Sequence, residues 1–122
     1  MPFAVSDSVT QVLASALDGV ATRQQVIANN IANVDTPNFR AASVDFETQL
    51  NAAISDGSFD SGTPVDVGAT TTATDTPVGA NGNNVDLRKE TIAAMQSQFQ
   101  YQILTRAVSD QFNLIKSSVA GG

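Results

Sequence analysis

Cysteine, histidine and tryptophan are all absent from this 122-residue chain. Without cysteine no disulfide can close, and without cysteine or histidine the usual zinc ligands are missing. A chain with no thiols is also indifferent to redox compartment. The lack of histidine removes the commonest base for activating a serine or threonine. No Gly-x-Gly-x-x-Gly or Gly-x-x-x-x-Gly-Lys-Ser/Thr run is available to cradle a phosphate. Aspartates can do acid–base work, but here they crowd into a polar middle segment where nothing would hold their geometry. Their spacing does not match a calcium loop either. The composition therefore points away from catalysis, and no cofactor or metal is expected. Basic residues are scarce too. Six Lys and Arg face twelve Asp and Glu, a net charge of -6, and no basic cluster of the kind nucleic acid requires is present. No apolar run approaches the ~20 residues of a membrane span. The first residues lack the positive segment and apolar core of a Sec-type signal peptide. A cytoplasmic protein fits this, as does one exported by a route that uses no such signal.

What is present is uneven. Residues 1–34 carry Asp7 and Asp18 against Arg23. Residues 35–86 carry eight acids against Arg40 alone, and residues 87–122 carry four bases against Glu90 and Asp110. The acidity belongs to the middle, the part expected to face water. The two ends are instead periodic. From Val9 the positions Val9, Leu13, Ala16, Val20, Gln24, Ile27, Ile31 and Val34 step by 4, 3, 4, 4, 3, 4 and 3. This is a heptad-like seam with one stutter. Ser6, Asp7 or Ser8 can cap the helix, Met1–Val5 is expected to be loose, and Gly19 interrupts it at about 1 kcal/mol relative to alanine. At the other end Ile92, Met95, Phe99 and Ile103 form one stripe, continued with a one-residue shift by Leu104, Val108, Phe112, Ile115 and Val119. Asn84 or Asp86 can cap this second helix after the Asn81-Gly82 turn. Gly121-Gly122 is expected to end the chain without structure.

Between the helices, Asp35–Ser43 reads as a loop and Val44–Ile54 as a short helix with Phe46, Leu50 and Ile54 spaced by four, capped by Ser43 or Asp45. Residues 55–82 are rich in Gly, Ser, Thr, Asp and Pro, a composition that buries too little apolar surface to offset its ordering entropy. They are expected to form an exposed loop with a short extended pairing at Val65–Val67. Deleting 62–76 is expected to leave assembly nearly intact, because loop length changes closure entropy slowly.

The end of the first helix carries Asn29, Asn30 and Asn33, poor interior helix formers whose amides compete for backbone hydrogen bonds. They admit two readings: solvated residues that help end the helix, or amides that bond to a second helix or subunit and fix its register. Thr36 precedes Pro37, which stops the helix, and Phe39 beyond the turn needs an apolar home. The whole run Ala28-Asn-Asn-Ile-Ala-Asn-Val-Asp-Thr-Pro-Asn-Phe-Arg40 resembles the N-terminal motif of bacterial flagellar axial proteins, the rod, hook and hook-associated subunits. The usual pattern has Gly-Tyr where this chain has Asn38-Phe39, and asparagine tolerates the left-handed turn conformation. Asp45-Phe46 matches an acidic-aromatic element that follows the motif in proximal-rod subunits. Gly82-Asn-Asn-Val-Asp86 resembles their pattern before the last helix. Tyr101-Gln102 matches a Tyr-Gln pair near axial-protein C-termini, although the asparagine often found two residues later is Leu104 here. The resemblance covers residues 20–54 and 82–119 and is to the flagellar basal-body rod protein family.

The expected fold is all-α. A single domain has its N-terminal helix at 7–34 and a loop, short helix and flexible polar middle over 35–83. The C-terminal helix, 86–119, packs on the first as an antiparallel helical hairpin or coiled coil. Val12, Leu17, Tyr101 and Leu114 exceed what one partner helix can cover, and exposed apolar surface on that scale marks an interaction site. Subunit contacts are expected at Ile27, Asn29, Asn30, Ile31, Asn33, Pro37 and Phe39 around the motif, and at Phe46, Phe99, Tyr101, Val108 and Phe112 beyond it. The resemblance implies a structural rod subunit that polymerises with copies of itself and with other flagellar rod proteins. It further implies a rod-base adaptor and membrane-ring or export-gate proteins as neighbours, a periplasmic place in the basal body, and export by the flagellar type III apparatus without a cleaved signal peptide. The residues alone leave open a soluble helical adaptor or chaperone, or a secreted translocator-like protein.

Overall fold

In the computed structural model, residues 2–60 and 65–120 are described. The expectations for Gly121-Gly122, for Met1 and for the 62–64 part of the middle segment lie outside them. Helix α1 runs Pro2–Ala32, strand β1 Ala42–Asp45, helix α2 Glu47–Ser55, a 3-10 turn Ser58–Asp60, strand β2 Thr70–Ala73 and helix α3 Leu87–Ala120. The long helices are antiparallel. Arg23, Val26 and Ile27 face Glu90 and Ala93 at one end of the pair, whereas Asp7, Thr10 and Leu13 face Val108, Gln111 and Ile115 at the other. With 31 and 34 residues, α1 and α3 extend about 46 and 51 Å.

Helix α1 begins at Pro2, so residues 2–5, expected to be loose, belong to it, and Ser6, Asp7 and Ser8 lie within it rather than at its cap. A proline at the first helical position has no N–H to lose and its fixed φ suits the helix. Asp86 caps α3, its Oδ1 accepting from the N–H groups of Arg88 and Lys89 at 3.1 and 3.2 Å. Helix α2 is shorter than the period suggested. Phe46 holds the cap position, and Asp45 accepts from the Thr48 N–H at 3.2 Å and from its hydroxyl at 2.8 Å.

The middle is not simply a loop, and the fold is not purely helical. β1 and β2 pair antiparallel, Ala42 opposite Ala73 through Asp45 opposite Thr70. The extended pairing expected at Val65–Val67 occurs instead at Thr70–Ala73, where three consecutive β-branched threonines suit a strand. Ser43 and Thr72 join their hydroxyls across the pair at 3.3 Å. Val44 and Phe46 turn inward onto Ala16 and Val20 of α1, and Val26, Leu50, Ala69 and Leu104 pack around this cluster. Gly19 faces the Phe46 ring so closely that a Cβ there would stand 2.2 Å from the ring carbon Cγ. The glycine that costs α1 helix propensity is the seat of the largest side chain in this cluster.

Candidate subunit interface

The motif at the end of α1 is a set of internal fasteners. Asn30 is buried, 1% exposed. Its Nδ2 donates to the Ala42 carbonyl at 2.8 Å and its Oδ1 accepts the Ala42 N–H at 3.1 Å. Two helical turns earlier, the Arg23 guanidinium donates to the Val44 carbonyl at 2.7 Å. These two side chains of α1 occupy the edge of β1 that β2 leaves unpaired, where a bare row of backbone groups would otherwise be stranded. Arg23 also forms a bidentate pair with Glu47 at 2.8 and 2.6 Å, donates to Gln100 Oε1 of α3 at 3.1 Å, and lies 4.8 Å over the Phe46 ring. One side chain thus touches β1, α2 and α3 at once. The hydrogen bonds from Arg23 hold the Glu47 carboxyl below its ordinary range, and those from Thr48 do the same for Asp45.

The turn after α1 is tied to the segment before α3. Buried Asn83 donates from Nδ2 to the carbonyls of Asn33 and Thr36 at 2.8 and 2.7 Å. Buried Asn84 accepts the Ala41 N–H at 2.6 Å and donates to the Thr76 carbonyl at 3.2 Å. Asn38 has a φ of 65° and Gly82 a φ of 80°, and the two face each other. A Cβ on Gly82 would lie 2.1 Å from Asn38 Oδ1, so position 82 requires glycine both for its backbone and for the space. Of the other motif residues, Asn29 is exposed and its carbonyl accepts from Asn33 Nδ2 at 2.7 Å; Asn33 in turn accepts from the Thr36 hydroxyl at 3.0 Å. Pro37 is exposed, Phe39 and Ile31 are half-buried, and Ile27 is buried. Phe46 is in the core. The structure therefore buries Ile27, Asn30 and Phe46 inside the subunit, and leaves Asn29 and Pro37 at its surface.

On α3 the covered face consists of Glu90, Ala93, Ala94, Ser97, Gln100, Leu104, Ala107, Val108, Gln111 and Ile115, mostly small or polar side chains. The sequence stripe is split: Leu104, Val108 and Ile115 join the covered face, whereas its first half faces the other way. Ile92, Met95, Phe99 and Ile103 are 50, 69, 63 and 53% exposed, and beyond them Phe112, Leu114 and Val119 are about equally bare. Tyr101 is exposed at 42%. Of the expected interface residues, Phe99 lies on this stripe, Tyr101 and Phe112 are exposed about 200° and 220° around α3 from it, and Val108 is half-buried beside α1. Sequence reasoning missed Arg23, Glu47 and the clamping role of Asn83 and Asn84. Arg23 had one signal: it is the sole base in the first 34 residues.

Among the described residues no helix is long and apolar enough to cross a membrane, and no cluster of acidic residues is placed to hold a metal. The family model described as flagella basal body rod protein matches residues 11–40, the stretch that holds Gly19, Arg23 and the asparagines. The chain is 37% identical over 120 residues to the flagellar basal body rod protein FlgB of Bacillus subtilis, covering 92% of this chain and 93% of that one. It is 33% identical over 116 residues to FlgB of Borreliella burgdorferi, covering 81 and 86% of the two chains, and 30% identical over 135 residues to FlgB of Escherichia coli, covering 95 and 96%. With likeness across nearly the whole of each relative, and with the motif built into the junction of its two long helices, this chain belongs to the FlgB family of flagellar basal-body rod proteins.

Proposed function

We propose that the chain is a structural subunit of the flagellar rod that is incomplete until neighbouring subunits cover α3. The observation that carries this is the outward stripe of Ile92, Met95, Phe99 and Ile103, four large apolar side chains each at least half exposed. Contacts between subunits are assigned to Phe99, Tyr101 and Phe112 on α3 and to Asn29, Pro37 and the exposed part of Phe39 near the motif. Ile27, Asn30 and Phe46 act one step back, by fixing the shape that presents them. The partners in this reading are copies of the chain and other rod proteins, with an adaptor at the rod base and the membrane-ring or export-gate proteins beneath. Export by the flagellar type III apparatus goes with it. Head-to-tail contacts that do not close build a helical rod, which fits a stripe with no counterpart on the same face of its own subunit.

Cells lacking the chain should be non-motile and yield basal bodies without a complete rod, and the wild-type chain should restore both. Phe99→Asp should leave a folded subunit, present in the cell, that fails to enter basal bodies. Normal swimming without the chain, or normal incorporation of Phe99→Asp, would sink the proposal.

A further inference from the structure

A second apolar surface lies on the other side of the subunit. Val9, Val12 and Leu13 of α1, Ile54 of α2 and Phe59 of the 3-10 turn line an open groove that Asp60 closes at its rim. Val9 and Ile54 are 38 and 47% exposed. Asp60 lines the groove and Asp56, exposed, follows Ile54 by two residues, so the groove is apolar with an acidic margin. The stripe on α3 has the opposite character. Arg88 and Arg106 stand on the same azimuth as Phe99, eighteen residues apart, which is about five full turns. They bracket Ile92, Met95, Phe99 and Ile103 at the two ends. Both arginines are exposed, and neither is in a salt bridge among the described residues.

An apolar ridge bounded by arginines complements an apolar groove bounded by aspartates in polarity and in sign. The two cannot meet within one chain, because the stripe faces away from α1 while the groove is built on α1. We infer that the outward stripe of α3 in one copy of this chain seats in the α1–α2 groove of a second copy, with Arg106 beside Asp60. This rests on the rod-subunit reading and names the two surfaces that meet. Both lie on every copy, so the contact repeats in one direction and leaves one groove and one stripe open at the two ends.

The absence of cysteine gives a clean test. Cells would co-express two single variants, Ile54→Cys and Phe99→Cys, and their isolated basal bodies would be oxidised. A covalent dimer that requires both variants is expected, and neither variant alone should give it. Asp60→Arg should reduce recovery of the subunit in basal bodies, and adding Arg106→Asp should restore it. A Phe99→Cys homodimer, or assembled rods with no mixed dimer, would overturn the stripe-in-groove contact while leaving the rod-subunit reading intact. Absence of the chain from basal bodies would sink both. Burial of Phe99→Cys by phosphatidylglycerol vesicles, with no mixed dimer in rods, would assign the stripe to a lipid surface and overturn the inference.

Discussion

Replacing Asn30 by alanine would leave the N–H and C=O of Ala42 facing α1 without partners. Alanine is the better helix former by a few tenths of a kcal/mol, but stranding buried polar groups costs about 1–3 kcal/mol each. Asn30→Ala should therefore lower subunit stability by at least ~1 kcal/mol in urea denaturation, whereas Asn29→Ala, at an exposed position, should change it little. A stabilised Asn30→Ala would mean that the amide is solvated. Gly19→Ala sets the same gain in helix propensity against the Phe46 ring. The added methyl has no room, so a loss of about 1–3 kcal/mol is expected. Part of it should return when Phe46→Leu is added, which thermal melts of the single and double variants would show. Asn30 and Gly19 are each unfavourable for a helix read in isolation, and each is explained by atom-scale contacts outside the helix.

At the scale of elements, the Arg23–Glu47 pair joins α1 to α2. The folded-state pKa of Glu47 is lowered, so its contribution is fully present above the unfolded value, about 4.5, and is lost as pH falls through the lower folded value. The Glu47 side chain is 46% exposed, which limits the pair to about 1 kcal/mol or less. Wild type should thus lose stability relative to Glu47→Gln as the pH drops from 5 to about 3, in denaturation series at fixed salt. The β-pair gives a second test. Because Thr74 donates its N–H to the Ala41 carbonyl and Asn84 bonds Thr76, deleting 70–76 should destabilise the subunit, contrary to the view of the middle as dispensable. Loss of the melting transition, or its shift to lower temperature, would show this; an unchanged melt would restore that view. Legibility followed length. α1 and α3 run for many turns, so their period is unambiguous, and Asp86 and the Asn38 turn were readable from local chemistry. β1 and β2 have four residues each and lie far apart in sequence, too short for any period and joined only by tertiary pairing. Val44 and Asp45 were drawn into the helix by the genuine four-residue spacing of Phe46, Leu50 and Ile54. The apolar stripe of α3 was also legible, but not its direction. The first half of the covered face is mostly Glu, Ala, Ser and Gln, which periodicity does not register, so only the structure shows that Ile92, Met95, Phe99 and Ile103 point outward while Leu104, Val108 and Ile115 point inward.

For the whole molecule, the fully buried apolar cluster sits along the middle of α1, and far from it the large apolar side chains of the α1–α3 seam, Leu13, Val108 and Ile115, are only partly covered. Helices in proteins draw their stability mainly from packing. The outer turns of α1 and α3 should therefore fray in a dilute monomer, and circular dichroism should report less helix than the structure contains, rising with concentration or with rod partners. Full helicity at micromolar dilution would contradict this. The same division has a mechanical side. A seam whose α3 side is mostly small or polar, with Leu104, Val108 and Ile115 as its large apolar members, offers few bulky knobs against sliding under load. Short amide bonds from Asn83 and Asn84 to the turn after α1 resist displacement over fractions of an ångström, since they weaken steeply with distance and angle. In a turning shaft, shear between the two ends of this chain would be borne at that junction, which acts as a rivet through two otherwise sliding bars.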